Sequence, residues 1–166
     1  MLKKIILSSM LLLSSQVYAD NLDKIFDIEL GTKVDLTKDN LISNDKSDNT
    51  AYYKIDFKGF NKLAVNYTPT TNKIHSIFTT KDVESGCEAE VEIIVGILSK
   101  RYGEFLTVKR ALDNLHGISS GKRQLIVGCN GFVDKSILLM LVDDDIQELA
   151  KKEQIEIEAS KESGNF

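Results

Sequence analysis

The sequence contains no tryptophan, one proline, two cysteines and two histidines in 166 residues. With so few cysteines and histidines, it lacks the closely spaced ligands of a zinc site. A glycine-rich phosphate loop and a dinucleotide-binding fingerprint are also missing. We therefore expect no metal, no cofactor and no assembled set of catalytic residues.

The chain also lacks an excess of positive charge. It has 21 basic and 25 acidic residues, which gives a formal charge of −4. A nucleic-acid or anionic-lipid binder needs a basic surface, so this composition argues against both kinds of partner. The acidic composition weakly favours another protein with a basic surface as the partner.

The first 19 residues, MLKKIILSSMLLLSSQVYA, have the three-part pattern of a secretory signal peptide. Two lysines precede an apolar stretch that is shorter than the about 20 residues needed to span a bilayer. Small or compact residues end the segment at Val17 and Ala19. The pattern predicts cleavage after residue 19, a periplasmic or secreted protein, and no stable membrane anchor after cleavage. A membrane-tethering helix is the alternative.

We expect a single α+β domain over residues 20–160 and a frayed tail over 161–166. Alternating apolar residues predict strands over 24–31, 51–58, 62–68 and 73–80. The last three are typical of an antiparallel meander with one buried face, whereas the polar residues 38–50 are typical of a mobile loop.

Periodicity of 3.6 predicts a helix over 85–102, capped by Ser85 and ended by Gly103. Residues 104–121 are compatible with a helix or with irregular structure. Strands are predicted over 122–129 and 136–142, the second buried on both faces, before a last helix capped by Asp144. The expected fold is an antiparallel sheet of five or six strands with two or three helices packed on it.

The two cysteines are predicted at core-facing positions, Cys87 in the first turn of a helix and Cys129 at a strand end. An even number of cysteines in an exported chain indicates a disulfide. The alternative is a catalytic thiol, which needs a base, and neither His75 nor His116 is placed beside Cys87 by the sequence.

Three short segments resemble functional motifs. Residues 117–121, GISSG, match the nucleophile elbow with Ser119 as nucleophile, but a strand follows and no histidine comes later. Residues 45–50 space oxygen donors like a calcium loop, yet lack the glycine and glutamate that the loop requires. The acidic cluster Asp143–Asp145 fits a helix N-terminus better than a metal site.

The outer face of the predicted meander is the best candidate for a binding surface, if no other element covers it. The last helix could cover it. The residues expected there are Tyr52, Lys54, Asp56, Asn66, His75 and Ile77.

Three functions remain open from the sequence. The first is a non-enzymatic binding protein that occupies another protein's surface, as inhibitors and toxin-immunity proteins do. The second is a small periplasmic hydrolase that uses Ser119 or the cluster Asp143–Asp145. The third is an accessory factor of an envelope assembly complex.

Overall fold

The structure is a computed structural model that describes residues 22–109, 114–130 and 136–163. The predicted signal peptide, its cleavage site and residues 164–166 lie outside these ranges. Within them are two helices and ten strands: β1 Lys24–Ile25, β2 Ile28–Glu29, β3 Leu41–Asp45, β4 Thr50–Phe57, β5 Phe60–Tyr67, β6 Ile74–Asp82, α1 Cys87–Tyr102, β7 Leu106–Lys109, β8 Asn114–Ser120, β9 Arg123–Asn130, β10 Ser136–Asp143 and α2 Asp144–Ser163.

The expected α+β class, the antiparallel sheet and the single disulfide are confirmed. Strands β3 to β10 form one antiparallel sheet in the order β3-β4-β5-β6-β10-β9-β8-β7. The prediction of five or six strands was wrong, because the sheet has eight. The three additional strands are β3, in the predicted loop 38–50, and β7 and β8, in the segment 104–121 that the sequence left undecided.

The predicted strand over residues 24–31 is instead a hairpin of two very short strands. Phe26 and Asp27 form its turn with φ values of 52° and 60°. The hairpin buries both Ile25 and Ile28, at 4% and 6% exposure. A single alternating strand would have placed these two side chains on opposite faces.

One face of the sheet, which we call the inner face, carries the hydrophobic core. Helix α1 packs there on β8, β9 and β10, and buries Val91, Ile94 and Leu98. The disulfide joins Cys87 in the first turn of α1 to Cys129 on β9, with their Cα atoms 6.0 Å apart. Ile25 and Ile28 of the β1–β2 hairpin belong to the same core.

A β-bulge in β6 reverses part of the predicted alternation. Tyr67 of β5 lies opposite Ile74, whereas Val65 lies opposite Ile77, so His75 is an extra residue in β6. Ile77 therefore points to the inner face and is 1% exposed. The prediction that Ile77 belongs to the outer face was wrong, because one inserted residue shifts every later side chain to the other face.

The two helices begin differently from the predictions. α1 has Gly86, in the left-handed conformation with φ of 71°, at its N-cap, and no side-chain cap from Ser85. α2 is capped by Asp143 rather than Asp144, since Asp143 Oδ1 accepts the N–H of Ile146 at 3.1 Å. α1 ends before Gly103, as expected, but Gly103 has φ of 98° and ψ of −172° instead of the expected left-handed helical conformation, and its N–H donates to the Ser99 carbonyl.

Helix α2 contacts the sheet at β6 and β10 and ends at Ser163. Glu153 is the one residue of the helix that is fully buried, at 5% exposure. Neither described helix is both long enough and apolar enough to cross a membrane.

Candidate functional site

The candidate site lies on the outer face of the sheet, opposite α1. At its centre, Met140 of β10 lies between Phe78 of β6 and Ile126 of β9 in adjacent register positions. Leu138 and Leu115 point to the same face one register step away. We call these five residues the outer band. All five side chains are half-buried, although α1 and the β1–β2 hairpin both lie on the other face.

The outer face around this band is almost free of charge. Asp82 is the single charged residue among the outward positions of β6, β8, β9 and β10, whereas 28% of the whole chain is charged. The other outward positions on these strands are Ser76, Phe78, Thr80, Leu115, Gly117, Ser119, Gln124, Ile126, Gly128, Asn130, Ser136, Leu138, Met140 and Val142. Antiparallel sheets that face water usually carry polar side chains there, so this composition is unusual for a solvated face.

The edge strand β7 extends the apolar surface. Leu106 lies opposite Gly117 and Val108 opposite Leu115, so both side chains point to the outer face. They are 56% and 57% exposed, among the most exposed large apolar residues of the described chain. At the end where β10 leads into α2, in contrast, Val142 is buried at 7% exposure.

The half of the outer face formed by β3, β4 and β5 is polar and contains most of the predicted binding residues. Tyr52 lies opposite Ala64, and the ammonium of Lys62 is 3.9 Å from the centroid of its ring. Lys54 and Asp56 are exposed. This half therefore offers charged and aromatic groups beside the apolar outer band.

Asn66 and His75 are less available than the sequence suggested. The Asn66 side chain accepts a hydrogen bond from Thr50 Oγ1 at 2.8 Å and donates to Ser76 Oγ at 3.0 Å. The Nδ1 atom of His75 is buried and has no hydrogen-bond partner in the described residues. Burial lowers the pKa of His75, because the charged form loses hydration.

Ser119 does not lie in a nucleophile elbow. It is on β8 opposite Gln124, and β8 is joined to β9 by a tight turn rather than leading into a helix. His116 is on the inner face, opposite Val127 and 2% exposed, so the serine and the histidine lie on opposite sides of the sheet. A Ser–His pair therefore does not form between them.

The carboxylates of the Asp143–Asp145 cluster have separate partners. Asp143 accepts a hydrogen bond of 2.8 Å from Nε of Arg123, and Asp144 accepts one of 3.0 Å from Nε2 of Gln124. Asp143 and Asp145 line a polar cleft of about 530 Å³, in which Arg123 also pairs with Asp23. The described residues contain no group of three or more His, Cys, Asp or Glu side chains that could hold a metal ion.

The resemblance to a calcium loop at residues 45–50 has a simpler structural basis. Asp45 Oδ1 accepts hydrogen bonds from the main-chain N–H and the hydroxyl of Ser47, at 2.9 and 2.6 Å. This arrangement is an Asx turn that shapes the connection between β3 and β4. The carboxylate of Asp45 thus accepts its hydrogen bonds from within its own turn.

The outer band was not predicted, because the sequence indicated an open face only for the meander and burial on both sides for residues 136–142. Strand β10 is central and its inner side chains are buried, as expected, but Leu138 and Met140 are only half-buried. A signal was available, since the alternating positions 124, 126, 128 and 130 of β9 contain no charge.

No family model, curated protein or solved structure matches this chain, so a functional assignment rests on the geometry alone.

Proposed function

We propose that this chain is an exported, non-enzymatic protein-binding module that covers an apolar surface of another protein with its outer band. The observation that carries the proposal is the row Ile126–Met140–Phe78, which is half-buried and lies among the outward positions of β6, β8, β9 and β10, where Asp82 is the single charged residue. Export is supported by the signal-like residues 1–19, and the disulfide is consistent with an oxidising compartment.

The composition of this face favours binding over solvation. The centres of protein–protein interfaces are depleted of charged residues, since burying a charge without a partner is costly. Leu138, Met140 and Phe78 can lose their hydration at little cost and gain apolar contact. Their strands are also held in one sheet, so few degrees of freedom are lost on binding.

The charge of the chain suggests the kind of partner. The whole sequence has a formal charge of −4, whereas on the outer face itself Asp56 and Asp82 are balanced by Lys54 and Lys62, so the negative field comes from the chain as a whole. A partner with an apolar patch and basic residues around it would be attracted and oriented by this field. Such a surface fits an inhibitor or immunity protein that masks part of a basic target.

Two substitutions of the same kind test the proposal. Ile126→Lys introduces a charge into the outer band, and Ile93→Lys introduces the same charge on α1, where Ile93 is 57% exposed on the other side of the sheet. The wild-type protein and both variants are used for affinity capture from envelope extract. Circular dichroism and a thiol count establish that each variant is folded with its disulfide formed.

We expect one protein to be captured by the wild type and by Ile93→Lys, and lost with Ile126→Lys. Binding must then be reproduced with the purified partner, and its identity separates an inhibitor from an assembly factor. Equal capture by all three proteins, or loss with Ile93→Lys alone, would contradict the proposal.

A further inference from the structure

The two edges of the sheet differ in how well they are protected from pairing with another strand. Strand β3 has a register irregularity between Leu41 and Ser43 and ends at Asp45. Strand β7 is regular, with four consecutive residues paired to β8. Bulges and charges are the usual protection of sheet edges, and β7 has only Lys109 at its end.

The second edge of β7 is open in the described part of the chain. Its four residues are all exposed, and its main-chain groups pair with no described strand except β8. The two outward side chains, Leu106 and Val108, are both apolar and more than half exposed. An unprotected apolar edge of this kind is a template for an added strand.

We propose that β7 pairs antiparallel with β7 of a second copy of the chain, about a two-fold axis that passes beside Thr107. A two-fold axis perpendicular to the sheet leaves each side chain on the face where it already lies. Because side chains alternate between the two faces along a strand and opposite residues share a face, two residues can oppose each other only if their numbers differ by an even number. In the register centred on Thr107, Leu106 lies opposite Val108 of the second copy, and by symmetry this contact forms twice.

The neighbouring registers are less complementary. Centring the axis on Leu106 places Val108 opposite the charged Glu104, and centring it on Val108 places Thr107 opposite Lys109. The register centred on Thr107 instead gives both apolar residues an apolar partner, whereas each neighbouring register pairs only one of the two, with its own equivalent. Cross-strand apolar pairs stabilise a sheet, whereas like charges opposite each other destabilise it.

This pairing joins the two outer faces into one continuous surface, since Leu106 and Val108 extend the outer band to the edge of the sheet. An edge of four residues is about 13 Å long. It buries less than the roughly 1,000 Å² expected of a stable interface, so the dimer should be reversible and depend on concentration. This association is independent of the hetero-partner proposed above.

Sedimentation equilibrium over a wide concentration range tests the dimer, using the full chain expressed with its own N-terminus and purified as the cell produces it. Val108→Lys is compared with Ile42→Lys, which makes a similar change on the opposite edge strand, where Ile42 is 54% exposed. We expect a wild-type dimer whose Kd rises about tenfold or more in Val108→Lys. Ile42→Lys and Ile126→Lys should leave the Kd unchanged.

Three results would overturn the proposal: a wild-type monomer up to millimolar concentration, a dimer that survives Val108→Lys, or a dimer abolished by Ile126→Lys. The last would indicate that the outer bands stack on each other.

The register has its own test, because two copies of Thr107→Cys should form a disulfide with each other on mild oxidation. Val108→Cys should not, since its two copies would be about 7–8 Å apart, beyond disulfide reach. The reverse pattern, or a dimer without the Thr107→Cys cross-link, would refute the register.

Discussion

The carboxylate of Glu153 accepts a hydrogen bond of 2.7 Å from the main-chain N–H of Thr70, which lies 83 residues earlier in the chain. The same carboxylate accepts the N–H of Thr71 at 3.1 Å and its hydroxyl at 2.7 Å. A buried carboxylate on a helix whose other residues are half-buried or exposed thus fixes α2 to the turn between β5 and β6. No apolar pattern could have predicted this contact.

Replacement of Glu153 should destabilise the protein more than replacement of an exposed glutamate on the same helix. Glu153→Ala leaves three donors of Thr70 and Thr71 without their acceptor, at a cost of about 1–3 kcal/mol. Glu156→Ala is the control, because Glu156 is exposed. Urea unfolding of both variants measures the difference, and equal stabilities would show that the Glu153 contacts contribute nothing.

The same residue predicts a dependence of stability on pH. Burial acts to raise the pKa of Glu153, but hydrogen bonds from Thr71 and Thr70 outweigh it, so the folded-state pKa lies below the ordinary value of 4.5. The unfolded chain therefore binds the proton more tightly, and the contribution of Glu153 is present above pH 4.5 and lost as pH falls through the lowered pKa. We expect the stability difference between wild type and Glu153→Gln to be largest above that pH and to shrink in acid. A difference that grows on acidification would contradict this sign.

The disulfide between Cys87 and Cys129 should contribute substantially to stability. It spans 42 positions of sequence, and the chain-entropy model gives about 4 kcal/mol for a loop of that size. Replacing both cysteines by alanine should lower the free energy of unfolding by up to this amount in urea titration. Adding reductant should weaken the wild type and leave the double variant unchanged. Equal midpoints for oxidised wild type and the double variant would contradict the prediction.

Two glycines should respond to alanine in opposite directions. A Cβ atom at Gly128 would overlap Leu115 and lie 3.1 Å from the carbonyl oxygen of Asn114, so Gly128→Ala should cost about 1–3 kcal/mol. Gly96 lies inside α1, and the methyl group of an alanine there would meet no neighbouring atom within 4 Å, so Gly96→Ala should stabilise by roughly 0.5–1 kcal/mol. Thermal melts of the two variants check both signs, and a stable Gly128→Ala would show that Leu115 can move aside.

The sequence predicted the fold class, and it predicted the meander strands β4, β5 and β6 from the alternation of their apolar residues. Strand β4 shows this, with Ala51 and Tyr53 buried on one face and Lys54 exposed on the other. Strand β3 was missed because an edge strand needs no apolar face, and LISND resembles a polar loop. Strand β8 was missed because NLHGISS combines few apolar residues with glycine and serine.

The candidate site was only partly predictable for a different reason. An outward face depends on register, and the bulge at His75 moved Ile77 from the predicted outer face into the core. The apolar run of β10 indicated burial on both sides, whereas Met140 and Leu138 are half-buried. Sequence periodicity shows which residues share a face, but the arrangement of strands and helices decides which face is covered.

The most direct test of the outer band uses a photo-cross-linking amino acid placed at Met140 in the producing cell. The same probe at Ile93, on the opposite side of the sheet, is the control. We predict a covalent adduct with another protein from position 140 and none from position 93. Adducts from position 93 alone, or none from position 140 in folded, disulfide-bonded protein, would contradict a binding role for the outer band.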